Sequence, residues 1–193
     1  MRICVYGAAS LTISSTYIEK VEVLGKLIAS HNHSLVFGGG GNGLMGAVAR
    51  GVHSSGGYIV GVVPKFFSDE SIEKVCDFCD ELIEPETMRE RKQIMEDKSD
   101  AFIIVPGGIG TFEEFFEILT LKQLCRHNKP IVIYNIEGYY DEINQAIEQA
   151  VKKGFIRLDC LDLFEVTDDL DKLFKYIEKP DIQFKTIKEL KNG

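Results

Sequence analysis

The sequence predicts an α/β fold: one doubly wound domain with a mostly parallel sheet flanked by helices. Three observations carry that prediction. Short, unbroken apolar runs recur at residues 2–7, 34–37, 58–63 and 101–105. Strands buried on both faces of a parallel sheet read as such runs, whereas half-exposed strands alternate apolar and polar residues. Between the runs lie stretches with apolar residues at helical spacing, so strand and helix alternate through three units by Pro64, the pattern of successive βαβ crossovers. Finally, 193 residues suffice for one sizeable core, and no repeat, linker or second domain interrupts them. Residues 1–180 read as the domain and 181–193 as a polar, loosely held C-terminal tail.

In chain order, residues 2–7 (Arg-Ile-Cys-Val-Tyr-Gly) form the first strand, followed by the small-residue turn Gly7-Ala8-Ala9-Ser10. Thr16-x-x-Glu19 reads as a capping box for a helix that turns Ile18, Val21, Leu24, Leu27 and Ile28 inward and fails around His31-Asn32-His33. After the strand at 34–37, Leu44, Ala47, Val48 and Val52 give a helix that Gly56-Gly57 stops. A third strand at 58–63 is closed by Pro64. Residues 65–79 have no clean period and many charges, as expected of a loop covering a ligand above strand ends. A short strand at 81–85 and a capping box at Thr87-x-x-Glu90 precede a helix from Met88 to about Lys98. The strand at 101–105 ends at Pro106, and a helix opening at Thr111 carries Phe115, Phe116, Leu119 and Leu121 to about Arg126. Pro130 permits a strand at 131–134. Gly138-Tyr139-Tyr140 begins a helix with Ile143, Ala146, Ile147 and Ala150 inward; a strand at 163–166 and a helix at 168–177 complete a Rossmann-like domain.

The chemistry concentrates around residues 106–114. Three glycines in four positions (Gly107, Gly108, Gly110) allow positive φ and close ligand approach, and a helix starts directly behind them. Backbone N–H groups and the positive end of a helix dipole then point at one spot, a geometry that suits a phosphate. The sequence is not a Walker motif, because no lysine follows the last glycine. Read structurally, Thr111-x-x-Glu114 is a capping box and no more. A second cluster, Gly38-Gly39-Gly40-Gly41-Asn42-Gly43-Leu44-Met45-Gly46, follows another strand, and two such turns at strand ends make a cleft. On the 88–98 helix, Met88, Arg91 and Met95 share one stripe. Arg91 thus occupies a position where an apolar residue is expected, and it needs either a buried carboxylate or a ligand. Arg89 reads as a solvated surface charge.

Composition excludes several classes. A net charge of −8 and a pI near 5.1 with no basic run argue against binding a nucleic acid polymer, although a single nucleotide needs only a local positive pocket. Nothing resembles a signal peptide or a membrane-spanning segment, so a cytoplasmic protein without membrane contact is expected. Five cysteines, an odd number, are expected as free thiols. Cys76-x-x-Cys79 has redox or metal spacing but no second pair and no clustered histidine, and reads as structural or incidental thiols. The four histidines are scattered; His31 and His33 fall in a polar helix-to-strand loop.

Four stretches taken together carry a resemblance: Pro106-Gly107-Gly108-x-Gly110-Thr111-x-x-Glu114, residues 38–46, Met88-x-Glu90-Arg91-Lys92 and Asn135-x-x-Gly138-Tyr139-Tyr140. In this combination the chain resembles the LONELY GUY (LOG) family of cytokinin riboside 5′-monophosphate phosphoribohydrolases, whose members have often been labelled lysine decarboxylases. The likeness spans about residues 2–166. It implies a hydrolase that cleaves the N-glycosidic bond of AMP or an N6-modified riboside 5′-monophosphate, with no cofactor and no metal, working as a homodimer on a small-molecule nucleotide. The catalytic pair implied is Arg91 and Glu114. Substrate contacts are implied for Gly107, Gly108, Ile109, Gly110, Thr111 and Glu113, for Met88 and Lys92, for Gly39 and Gly40, and for Thr120. Read without the resemblance, Thr120 is a satisfied mid-helix hydroxyl, and Tyr139 and Tyr140 either pack or line a base pocket. The family also places an acidic contact within 65–79, where Glu70 and Glu73 remain alternatives.

N-glycosidic cleavage builds positive charge on the ribose C1′ and negative charge on the departing base, so a carboxylate near C1′ stabilises the transition state and steers or deprotonates water. Glu113 and Glu114 diverge by about 100° on a helix, and only one can face a given site. Two other classes share parts of the pattern. A carrier of the molybdenum-cofactor type would use similar glycine turns without needing Arg91 and Glu114 together. A decarboxylase would need a lysine to hold pyridoxal phosphate, for which Lys92 is the only motif candidate. A homodimer draws support from the aromatic content of the helix carrying Phe112, Phe115 and Phe116, more than one sheet face needs.

Overall fold

The computed structural model describes residues 1–69 and 74–179. Each apolar run becomes a strand: β1 (Arg2–Tyr6), β2 (Ser34–Phe37), β3 (Ile59–Val62), β4 (Glu81–Ile83), β5 (Ala101–Ile104), β6 (Ile131–Tyr134) and β7 (Glu165–Thr167). The helices are α1 (Ser15–Ser30), α2 (Gly43–Ser54), a short α3 (Lys65–Asp69), α4 (Met88–Asp97), α5 (Ile109–Gln123), α6 (Asp141–Lys152) and α7 (Leu170–Ile177). The strands form one sheet in the order β4-β3-β2-β1-β5-β6-β7, and every pair is parallel. The order reverses between β1 and β5. Loops that diverge at such a switch point leave a crevice at the carboxyl ends of the strands, where ligands of doubly wound proteins bind.

Alternate residues of the central strands feed two cores. Ile3, Val5, Leu35, Phe37, Ile103 and Val105 pack with Val21, Leu24 and Ile28 of α1, with α2, and with Leu173 and Phe174 of α7. Cys4, Tyr6, Val36, Phe102 and Ile104 pack on the opposite face with Met95 of α4, Phe115 and Ile118 of α5, and Tyr140 and Ile147 around α6. Among the described residues no helix is long and apolar enough to cross a membrane.

Several local expectations are corrected. The cap of α1 is Ser14, whose hydroxyl accepts from the Thr16 N–H at 3.3 Å, so Thr16-x-x-Glu19 lies within the helix and is not its capping box. The box at Thr87 and Glu90 forms as expected. More consequential is α5. It starts at Ile109 with Gly108 as an extended N-cap that carries no side chain to cap it. Thr111 is therefore the third helical residue, and no Thr111–Glu114 capping box exists. Ala146 is exposed on α6. The last strand is displaced toward Thr167, because residues 158–163 wind into a 3₁₀ turn instead. Phe115 is consumed by the core, edge-on to Phe164 with ring centroids 5.5 Å apart, leaving Phe116 as the exposed aromatic residue of α5. Glu70, Glu73 and the stretch 181–193 lie outside the described residues.

Where α1 crosses α2 the two backbones come into direct contact. A Cβ at Gly25 would fall 2.2 Å from the Val48 carbonyl, and one at Gly51 would fall 2.1 Å from the Glu22 carbonyl. Backbone faces backbone there and no flexible side chain can yield. Gly25→Ala is expected to lower stability by roughly 1–3 kcal/mol, the range for overpacking; urea unfolding should show an earlier midpoint at unchanged slope.

Candidate active site

At the switch point a cleft of about 380 Å³ opens between the 7–10 turn, Gly38 and Gly40 after β2, and Gly108, Gly110 and Thr111 at the start of α5; Arg91, Met95 and Glu114 also line it. Both glycine clusters thus border one cavity, as their positions after β2 and β5, the strands on either side of β1, require. They are not equivalent. The first-turn N–H groups of Leu44 and Met45 in α2 are directed to the Ala8 carbonyl, at 2.8 and 3.4 Å. Gly43, at φ 55°, permits that approach, since a Cβ on it would lie 2.7 Å from the Ala8 oxygen. The N-terminus of α2 is therefore used inside the fold. The N-terminus of α5 has no side-chain cap, and Cβ atoms added to Gly108 or Gly110 would meet nothing within 4 Å. The N–H groups of Ile109, Gly110 and Thr111 have no acceptor within their own helix. Of the two glycine turns, the one at 107–110 keeps the anion-binding geometry.

Arg91 is held by main chain. Its Nε donates to the Val62 carbonyl at 3.1 Å and its Nη2 to the Gly38 carbonyl at 3.3 Å, the points where β3 and β2 leave the sheet. A Cβ at Gly38 would sit 2.0 Å from Nη2, so any side chain there would push the guanidinium out of this seat. Phe67 covers the guanidinium at 5.7 Å. With those donors fixed, Nη1 points to Glu114, 4.0 Å from Oε1, and both side chains are 12% exposed. This is a loose pairing. Burial pushes the Glu114 carboxyl up to about 7, with Arg91 opposing the shift and Glu113 adding to it. A carboxyl poised near neutrality can hold or release a proton at cellular pH, the property a general acid or base needs.

The remaining sequence-predicted residues scatter. Lys92 turns away from the cleft and is clamped by Glu113 and by Glu117, the latter at 2.7 Å. Burial alone would weaken its ammonium form, but these hydrogen bonds leave its pKa raised. Met88 is half exposed with its sulfur 4.0 Å from Arg91 Nη1. Ile109 is exposed at the helix start. Thr120 is exposed and bonds the Phe116 carbonyl at 2.6 Å, so it does not line the cleft. Gly39, at φ 76°, abuts Val63, whereas Gly40 reaches the cavity. Gly107 borders a neighbouring apolar pocket of about 270 Å³ with Tyr17 and Tyr139. Tyr139 donates to the Gly107 carbonyl at 2.7 Å, and buried Tyr140 donates to the Val105 carbonyl at 2.8 Å; the two phenols brace the turn from behind. Cys76 and Cys79 are free thiols beneath the glycine cluster at 38–46, with the Cys76 N–H donating to the Gly39 carbonyl at 2.8 Å. Sequence reasoning missed Phe67 and the two carbonyls that seat Arg91. Gly38 was the available signal, as a residue whose missing side chain makes room for a guanidinium.

These features define a Rossmann-like α/β protein with a cleft at its switch point, walled by a free helix N-terminus and a largely buried acid–arginine pair. The chain belongs to the family whose model is described as "Possible lysine decarboxylase", matched over residues 45–177, the family of the LONELY GUY proteins. It is 35% identical over 178 residues to the cytokinin riboside 5′-monophosphate phosphoribohydrolase LOG2 of Arabidopsis thaliana, covering 92% of this chain and 83% of that protein. It is 37% identical over 183 residues to the probable cytokinin riboside 5′-monophosphate phosphoribohydrolase LOGL5 of Oryza sativa subsp. japonica, covering 93% and 74%. These relatives are named as enzymes. Among solved structures, the molybdenum cofactor binding protein of Rippkaea orientalis shares the fold with a TM-score of 0.70 at 21% identity, over 92% of this chain and 94% of that one. The molybdenum cofactor carrier protein of Chlamydomonas reinhardtii gives 0.69 at 23%, over 90% and 93%.

The raised Glu114 carboxyl makes a prediction about stability. An acid that ionises near 7 when folded but near 4.5 when unfolded costs nothing below the lower value. As pH rises between them the unfolded chain loses its proton first, so stability falls, and above 7 the cost is constant. Glu114→Gln is therefore expected to unfold at higher denaturant than the parent at pH 8, by at most about 3 kcal/mol. The gain should vanish near pH 4 in the same titration.

Proposed function

We propose that this protein hydrolyses the N-glycosidic bond of AMP or an N6-modified (cytokinin) riboside 5′-monophosphate, giving free base and ribose 5-phosphate. The observation that carries this reading is the buried Glu114 carboxyl beside the main-chain-anchored Arg91, in one cavity with the uncapped start of α5. The curated relatives named as phosphoribohydrolases support the same chemistry.

In this mechanism the 5′-phosphate sits on the N–H groups of residues 109–111, fixing C1′ over Glu114. Ionised Glu114 stabilises positive charge on the ribose as the C1′–N bond breaks, and takes a proton from the attacking water. Water supplies hydroxyl to C1′, and the proton ends on the departing base. Arg91 restrains the carboxylate and offsets negative charge near the phosphate. Lys92, clamped as an ammonium by two carboxylates, is poorly disposed to form a Schiff base. That argues against the decarboxylase reading.

We also propose a homodimer built on α4 and α5, where Met88, Ile109, Phe116 and Leu124 expose apolar surface. Sedimentation at micromolar concentration should show twice the chain mass; a stable monomer rejects this arrangement.

A panel of nucleosides and nucleoside monophosphates assayed for free base tests the activity. AMP or its N6-prenylated form should be cleaved without added cofactor, and adenosine far more slowly. Equal rates on AMP and adenosine would remove the phosphate from the 107–111 turn. Glu114→Gln should lower turnover by roughly 10² to 10⁴ while AMP binding persists. Near-normal turnover in that variant would leave a nucleotide-binding protein in place of an enzyme.

A further inference from the structure

A second constellation lies at the N-terminal ends of the strands, opposite the cleft. His31 closes α1 and Glu178 closes α7, each with its own N–H bonded back into its helix, so rigid elements fix both backbones. Asn32 between the histidines adopts φ 59°, a left-handed turn that Asn tolerates better than most residues. The turn brings two imidazoles onto one carboxylate oxygen: His31 Nδ1 and His33 Nε2 lie 2.8 and 2.9 Å from Glu178 Oε1. The ring planes are held as well. His31 stacks on Phe174 with centroids 4.3 Å apart at 22°, and His33 Nδ1 lies 3.3 Å from the Met1 amine. Among the described residues no other three His, Cys, Asp or Glu donors converge in this way.

Two imidazole nitrogens and a carboxylate oxygen are the donor set of borderline divalent transition metals, zinc foremost, whereas magnesium and calcium favour oxygen alone. With metal–ligand bonds near 2.0–2.1 Å, the edge of a tetrahedron is about 3.3 Å. The observed spacings need to open by about half an ångström, within reach of side-chain rotation about fixed Cα positions. The His31 and Glu178 side chains are 37% and 36% exposed, which gives the ion an entry path and a water as fourth ligand. We propose that His31, His33 and Glu178 bind one divalent transition-metal cation of the zinc type, tying α7 to the turn between α1 and β2. Without the ion, an exposed carboxylate shared by two imidazoles holds these elements only weakly. The site is independent of the catalytic reading, since none of its residues touches the cleft.

The test is a zinc titration of the full chain after chelator treatment, in competition with a chromophoric chelator. One Zn²⁺ per chain should bind and raise the melting temperature, and Mg²⁺ should do neither. His31→Ala, His33→Ala and Glu178→Gln should each weaken Zn²⁺ at least as much as loss of an outer-shell partner does, roughly 10- to 100-fold. The nearly isosteric Glu178→Gln keeps the comparison valid if a histidine variant loses its fold by circular dichroism. Co²⁺ should give visible d–d bands without an intense near-ultraviolet thiolate band. Absence of Zn²⁺ binding, unchanged affinity in Glu178→Gln, or a thiolate band that assigns the metal to the Cys76–Cys79 pair would each overturn the proposal.

Discussion

Arg91 sets the terms for everything around it. A guanidinium removed from water must direct its N–H groups at acceptors, and here two of them are backbone carbonyls, of Val62 and Gly38, at the ends of adjacent strands. Those carbonyls are available because parallel strands stop there and the chain turns away. Their spacing follows from the pairing of Phe37 with Gly61 in the sheet. The helix that carries Arg91 is in turn fixed by the Thr87–Glu90 box at its start and by Met95 in the core beneath. One donor nitrogen is left to face Glu114. Because it stops 4.0 Å short, the pairing is too weak to cancel burial, and the carboxyl settles near 7. A closer, bidentate pair would have held the carboxylate ionised well below neutrality.

The two glycine-rich turns show how similar sequences acquire different work. Each follows a strand and opens a helix that lacks a side-chain cap. In α2 the vacated capping role goes to the Ala8 carbonyl, so that turn welds β1 to α2 and supplies only its surface to the cleft. In α5 the same lack leaves N–H groups and a helix dipole facing the cavity. Tyr139 and Tyr140 secure that turn from below by bonding the carbonyls of Gly107 and Val105, which keeps its N–H groups oriented the other way.

By itself the sequence determined the strand–helix alternation, the parallel doubly wound sheet, the two glycine turns and the anomaly of Arg91 on an apolar stripe. These follow from periodicity and from the cost of burying a charge, which are local and one-dimensional. The family signatures further singled out Glu114. What the sequence could not decide is which of its hydroxyls cap helices. Thr16 and Thr111 have suitable partners three residues on, yet the chain begins α1 after Ser14 and α5 after Gly108, because the preceding strand and turn fix where the helix can start. That shift matters, since it removes the capping-box role for Glu114. Only the tertiary structure decided that Lys92 serves Glu113 and Glu117, that Thr120 faces solvent, and that His31 and His33 meet Glu178 from almost 150 residues away. Each depends on the angle at which separate helices dock on the sheet, and packing sets that angle.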